Sequence, residues 1–241
     1  MKNVALLLPG ISRSAKLCYE SLKNNILDIY NVDIFIHTYE QSNISVDERH
    51  VEHENSYEEL INLFNPKEIV VEDYFKIRPK LKEKLNNISS ITAVHPMRCV
   101  SSFYKIEKCF NLLEKYNINK YDFFIRSRMD ILYEEKLFFN IIKSGEVYIP
   151  KPSTKKTVFE NGYYKSYSGD YQKDFVMDHF AIGDYKAMHA YCSAYKNIDN
   201  LCYNNKFSLH PELITRQNII NKKININRFK FGYSLYRKPV V

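Results

Sequence analysis

The residues best equipped for chemistry are Arg126-Ser127-Arg128-Met129-Asp130, directly after the apolar run Phe123-Phe124-Ile125. If a strand continues through them, Arg126, Arg128 and Asp130 share one face, because strand side chains alternate with a period of two. A carboxylate between cations can hold a divalent metal, which neutralises a diphosphate leaving group as charge builds on it. Arginines grip the same phosphates bidentately. A salt-bridged strand edge would use the same residues, so the surroundings decide between the two.

Two other polar segments also follow apolar runs. Pro9-Gly10-Ile11-Ser12-Arg13 follows residues 4–8, and His37-Thr38-Tyr39 follows 32–36. In an open parallel sheet, ligands bind outside the carboxyl ends of the strands. Parallel strands would therefore bring all three segments to one edge. Gly10 lets the backbone approach a nucleotide, and Arg13 can face its base or phosphate. The chain has neither GxxxxGK[ST] nor GxGxxG, which argues against an ATPase or an NAD-dependent dehydrogenase.

Alternating elements position these segments. Residues 4–8 read as a buried strand of a parallel sheet, stopped by Pro9-Gly10. A helix capped by Ser12 or Ser14 follows, with Ala15, Cys18, Leu22, Ile26 and Ile29 on one face. The strand at 32–36 completes a βαβ unit. Polar residues 41–55 read as a loop, 57–64 as a short helix, 68–72 as a strand and 74–96 as a helix or loop. Val100, Phe103, Ile106, Phe110 and Leu113 stripe a helix over 97–116. Strands follow at 122–125 and 146–149. The Lys- and Tyr-rich stretch 151–173 reads as a loop and a candidate lid that excludes water. Residues 175–182 are strand-like, 185–195 and 211–221 helical, and 224–237 alternate in polarity and end basic. The pattern predicts a single α/β domain, Rossmann-related, with a mostly parallel central sheet flanked by helices. Residues 1–130 would form its nucleotide-binding half and 131–241 its acceptor half.

Composition narrows the partners. Lys and Arg total 35 against 28 for Asp and Glu, a formal net charge of +7 that attracts phosphates of any kind. The cations are scattered, whereas nucleic-acid binding favours a concentrated stripe, so no nucleic-acid partner is expected. Twenty tyrosines and no tryptophan put hydroxyls on the aromatic surface, which suits sugar or base contacts. Cys18, Cys99, Cys109, Cys192 and Cys202 include no CxxC pair and read as reduced structural thiols. The apolar stretch after Lys2 is too short for a signal peptide. No run approaches the ~18 apolar residues of a membrane span. The expectation is a cytoplasmic protein, at most peripheral to a membrane.

Five pieces in order resemble a group of GT-A-type glycosyltransferases from bacterial surface-polysaccharide clusters and large DNA viruses. They are VDIFIHTY (32–39), SSFYKIEKC (101–109), YDFFIRSRMDILY (121–133), DHFAIGDYKAM (178–188) and HPELITRQNI (210–219). The resemblance covers nearly the whole chain. It implies transfer of a hexosyl or deoxyhexosyl group from a UDP-, GDP- or dTDP-sugar to a hydroxyl of a glycan or lipid-linked acceptor, with inversion. It also implies that Pro9, Gly10, Arg13, His37 and Thr38 hold the nucleotide, with Tyr104 and Lys105 lining its side. Arg126 and Arg128 would support the diphosphate, and Asp130 would hold Mn²⁺ or Mg²⁺, with His210 completing the metal shell. Asp178 would be the base that removes the acceptor proton, and Glu212 would bind sugar hydroxyls or take that role instead. The group usually carries Asp-x-Asp at this strand end, and Arg128 stands where its first aspartate is usual.

Two rivals belong to other classes. A nucleic-acid-binding module would use the net charge and the interleaved tyrosines. A nucleotidyltransferase would want two or more clustered carboxylates at its metal, and Arg128-Met129-Asp130 offers one.

Overall fold

The structure is a computed structural model that describes residues 1–40, 43–46, 49–52, 56–88, 96–139, 142–151, 158–160, 163–166, 175–205 and 209–237. Strand β1 (Asn3–Pro9) carries five consecutive apolar residues, and the fold buries both faces of it. Val4, Leu6 and Leu8 enter one core, while Ala5 and Leu7 enter another on the opposite side. Each such leucine contributes about 1.5–3 kcal/mol when fully buried. Helix α1 (Ala15–Leu22) covers the first face and leads into β2 (Asn31–Tyr39). Ser14 stands at the N-cap of α1 without bonding its backbone. Its hydroxyl instead donates to the Tyr236 carbonyl, so the cap expected of Ser14 gives way to a long-range tie.

Residues 41–55, expected as a loop, contain an antiparallel hairpin of β3 (Asn43–Val46) and β4 (Arg49–Glu52). Its strands are too short for their alternation to stand out from the acidic surroundings. Helix α2 (Tyr57–Phe64), strand β5 (Glu68–Glu72) and helix α3 (Tyr74–Asn86) follow. Helix α4 (Pro96–Asn111) buries the expected stripe, then tightens into a 3₁₀ turn over Leu112–Lys115.

Strand β6 (Phe123–Ser127) ends sooner than a shared face for Arg126, Arg128 and Asp130 requires. The chain turns at Met129 and Asp130 into β7 (Ile131–Tyr133), so these three side chains do not lie along one strand. Next come β8 (Glu146–Pro150), β9 (Val158–Glu160), β10 (Tyr163–Ser166) and β11 (Phe180–Gly183). The stretch expected as one loop thus holds two strands, and the rest of the lid expected over 151–173 lies outside the described residues. Helices α5 (Tyr185–Cys192), α6 (Ala194–Asn205) and α7 (Pro211–Asn221) and strands β12 (Asn225–Phe229) and β13 (Tyr233–Arg237) complete the chain.

The central sheet has the order β12-β8-β11-β6-β1-β2-β5. Strand β11 is antiparallel to both neighbours, and every other pairing in this sheet is parallel. This is the expected α/β arrangement with a mostly parallel central sheet, and strands from both ends of the chain build one sheet. A second, antiparallel sheet has the order β7-β13-β10-β9, and its β7 and β13 pack against the first core. Gly183 lets α5 approach, because a Cβ there would lie 3.0 Å from that of Ala187 and 3.1 Å from the Glu146 carbonyl oxygen. All five cysteines are free thiols. Among the described residues no helix is long and apolar enough to cross a membrane.

Candidate active site

The segment after β1 bends sharply. Gly10 has φ +134°, which favours glycine, and its N–H donates to the His37 carbonyl at 3.0 Å. Arg13 also sits at positive φ, +34°. Strain of that kind in a non-glycine residue costs on the order of 1–3 kcal/mol and clusters at functional sites. The segment borders a cleft of about 210 Å³ at the carboxyl ends of β1 and β6. Helix α4 supplies another wall through Ser101, Ser102 and Lys105. Asp178, Pro211 and Arg237 close the far side.

Asp130 is the centre of a guanidinium cage. Arg128 donates to both of its oxygens, Nε to Oδ1 at 2.7 Å and a terminal nitrogen to Oδ2 at 2.9 Å. Arg13 reaches Oδ2 at 3.2 Å, and Arg237 reaches it from the last described strand at 3.0 Å. The carboxylate is only 1% exposed. Burial opposes its charge, but Arg128, Arg237 and Arg13 outweigh that and hold its pKa well below the carboxylate range. Burial pushes Arg13 down to about 9 against the pull of Asp130, which leaves it protonated at neutral pH.

Two further cations meet the same cleft. Arg126 is 2% exposed, and its Nε and one terminal nitrogen have no hydrogen-bond partner among the described residues. Lys105, buried on α4, rests its ammonium 4.4 Å from the Tyr39 ring centroid. Burial, then Arg13 and Arg128, lower its pKa to about 7, so an arriving anion would favour its charged form.

The expected carboxylates sit beside these cations. Asp178 lines the cleft and does not cap α5. That cap is Asp184, whose carboxylate accepts from the Ala187 N–H at 2.7 Å. Burial opposes the charge on Asp178, and His179, Arg126, Arg128 and Arg237 overcome it and lower the pKa. Burial, partly offset by Asp178, pushes the neighbouring His179 down to about 3, so its ring is neutral. Glu212 on α7 behaves oppositely: burial and the charge on Asp178 raise it to about 7. His210 Nδ1 lies 2.8 Å from Glu212 Oε2, with no well-directed hydrogen bond between them. Environments that push two neighbouring carboxylates apart are the pattern of an acid/base pair.

Some expected residues fall elsewhere. His37, Thr38 and Tyr104 are buried and do not line the cleft. The Tyr104 hydroxyl donates to Glu72 Oε1 at 2.9 Å, and His37 Nε2 lies 3.0 Å from Oε2 of the same carboxylate. The side chains of His37 and Tyr104 thus meet at the last residue of β5, a meeting that the apolar run did not reveal. Pro9, Gly10, Arg13, Lys105, Arg126, Arg128, Asp130 and Asp178 do line the cleft. Sequence reasoning missed Arg98 and Arg237, which line it too. Arg237 ends an alternating strand, and that pattern was its one sequence signal.

The donor set does not fit the expected divalent metal. Both oxygens of Asp130 are occupied by guanidiniums, and His210 faces Glu212. Among the described residues no group of three His, Cys, Asp or Glu side chains is placed to hold a metal. Three arginines stand around the Asp130 carboxylate, and His210 meets Glu212 instead.

No protein-family model matches the chain, and no curated protein matches it. Among solved structures it is similar to apo mouse xyloside xylosyltransferase 1, at 10% identity and a TM-score of 0.44, over 95% of this chain and 84% of that one.

Proposed function

We propose that the protein transfers a sugar from a nucleoside-diphosphate-sugar to a hydroxyl of a glycan or lipid-linked acceptor. One observation carries this reading: a recessed cationic cleft at the carboxyl ends of parallel strands, lined by Asp178, whose neighbour Glu212 is the more basic carboxylate. Such strand ends are where nucleotides bind in α/β sheets. Pro9 and Gly10 approach the nucleoside, and the arginines meet the diphosphate. Asp178 borders the cleft and removes the acceptor proton. Glu212, behind it and more basic, receives that proton as the site resets.

The bonds balance simply. The acceptor oxygen forms a bond to the anomeric carbon as the bond from that carbon to the phosphate oxygen breaks. The electron pair leaves on the diphosphate, and the acceptor proton goes to Asp178. Attack from the face opposite the leaving group inverts the anomeric centre. The donor is a UDP-, GDP- or dTDP-sugar. A recess rather than a surface stripe of cations speaks against the nucleic-acid module. The engagement of Asp130 by three arginines speaks against the nucleotidyltransferase, which needs clustered carboxylates free to hold its metal.

The test is a screen of nucleotide-sugars for thermal stabilisation and for release of nucleoside diphosphate. A shift with one donor family, and turnover lost in Asp178→Asn, support the reading. No shift with any nucleotide, together with salt-steep oligonucleotide binding, defeats it.

A further inference from the structure

We propose that guanidinium groups take the place of the divalent cation in this protein, gripping the donor diphosphate without metal. The inference rests on the nucleoside-diphosphate-sugar reading above and specifies how that site handles charge. Three arginines surround one carboxylate at Asp130, which leaves two formal positive charges. A divalent cation on that carboxylate would leave one, so the cage offers a diphosphate no less positive charge. Asp130 then acts as a positioning residue. It orients Arg13, Arg128 and Arg237 before the donor arrives, so no reorganisation is needed as charge develops on the leaving phosphate.

Arg126 supplies an independent observation. A guanidinium that is 2% exposed, with two nitrogens that find no partner among the described residues, is rare, because buried polar groups nearly always find partners. It lines the same cleft, so an acceptor oxygen entering there would satisfy it. Phosphate oxygens suit it best, since charge-assisted bonds to guanidinium are short and bidentate. A metal at Asp130, by contrast, would displace those bonds and sit among like charges.

The experiment is calorimetric titration of the purified chain with UDP, GDP, dTDP and inorganic pyrophosphate, in EDTA and then in Mn²⁺. The expected result is binding of at least one nucleoside diphosphate in EDTA, with an affinity that Mn²⁺ changes by no more than about twofold. Arg237→Ala should weaken that binding by roughly 10–100-fold, as loss of a charged hydrogen bond does, and Mn²⁺ should not rescue it. Arg237→Lys, checked for native circular dichroism, should recover part of the loss by keeping the charge. Binding that vanishes in EDTA and returns with Mn²⁺ overturns the inference and leaves the transferase reading standing. Absence of nucleotide binding in both conditions overturns both.

Discussion

Asp130→Asn separates a guanidinium cage from a metal ligand most sharply. The substitution keeps the shape and removes the one negative charge that three guanidiniums share. Removing one partner of a buried ionic network costs about 3–5 kcal/mol. Here the carboxylate side chain is 2% exposed, while Arg13, Arg128 and Arg237 are 26%, 20% and 34% exposed. Water screens the arginines in part, so the low end, about 3 kcal/mol, applies. For a chain of this size that lowers Tm by roughly 6–12 °C. The freed guanidiniums then accept a diphosphate in place of the carboxylate. A nucleoside diphosphate at a hundred times its Kd returns about 2.7 kcal/mol, or roughly 5–11 °C. The assay is thermal unfolding by circular dichroism in EDTA, with and without UDP, GDP and pyrophosphate. The variant should lose stability when free and regain most of it with ligand, without metal. A midpoint within about 2 °C of wild type, or loss of all diphosphate binding in the variant, would refute the reasoning.

Three further outcomes follow from the same geometry. Asp178→Asn should lower kcat by about 10²–10⁴-fold while nucleoside diphosphate affinity stays near wild type; a matched fall in affinity would assign Asp178 to donor binding. The pair His179 and Glu212 should give opposing stability slopes. His179 falls from 6.5 to about 3 on folding, so the unfolded chain binds more protons and stability drops as pH falls through that window. Glu212 rises from 4.5 to about 7, so the folded chain binds more protons and stability drops as pH rises through it. Each slope is at most about 1.4 kcal/mol per pH unit. Their overlap flattens the wild-type curve. Denaturant titrations across pH 5–6 should show stability falling with pH in His179→Gln and rising in Glu212→Gln; parallel curves would remove both assignments. Arg126→Met should raise the stability of the free protein by about 1–3 kcal/mol, because it removes unpaired buried donors. The same variant should weaken diphosphate binding at least roughly tenfold, and a variant that is both less stable and equally tight would show Arg126 to be structural.

The sequence alone determined the sheet and its working edge. The runs at 4–8, 34–36 and 123–125 are apolar on both faces, which only a strand covered from both sides tolerates. The polar residues that follow β1 and β6 therefore had to gather at the carboxyl ends. What it could not determine was which side chains meet there. Arg13 and Arg237 reach Asp130 across 117 and 107 positions of chain, and no local pattern records such a meeting. His37 and Thr38 follow an equally good apolar run, yet both side chains are buried away from the cleft, His37 against Glu72. The early end of β6 decided the rest. A longer strand would have left Asp130 open on one face beside two arginines. The turn at Met129 instead sets its carboxylate among three guanidiniums that come from distant parts of the chain.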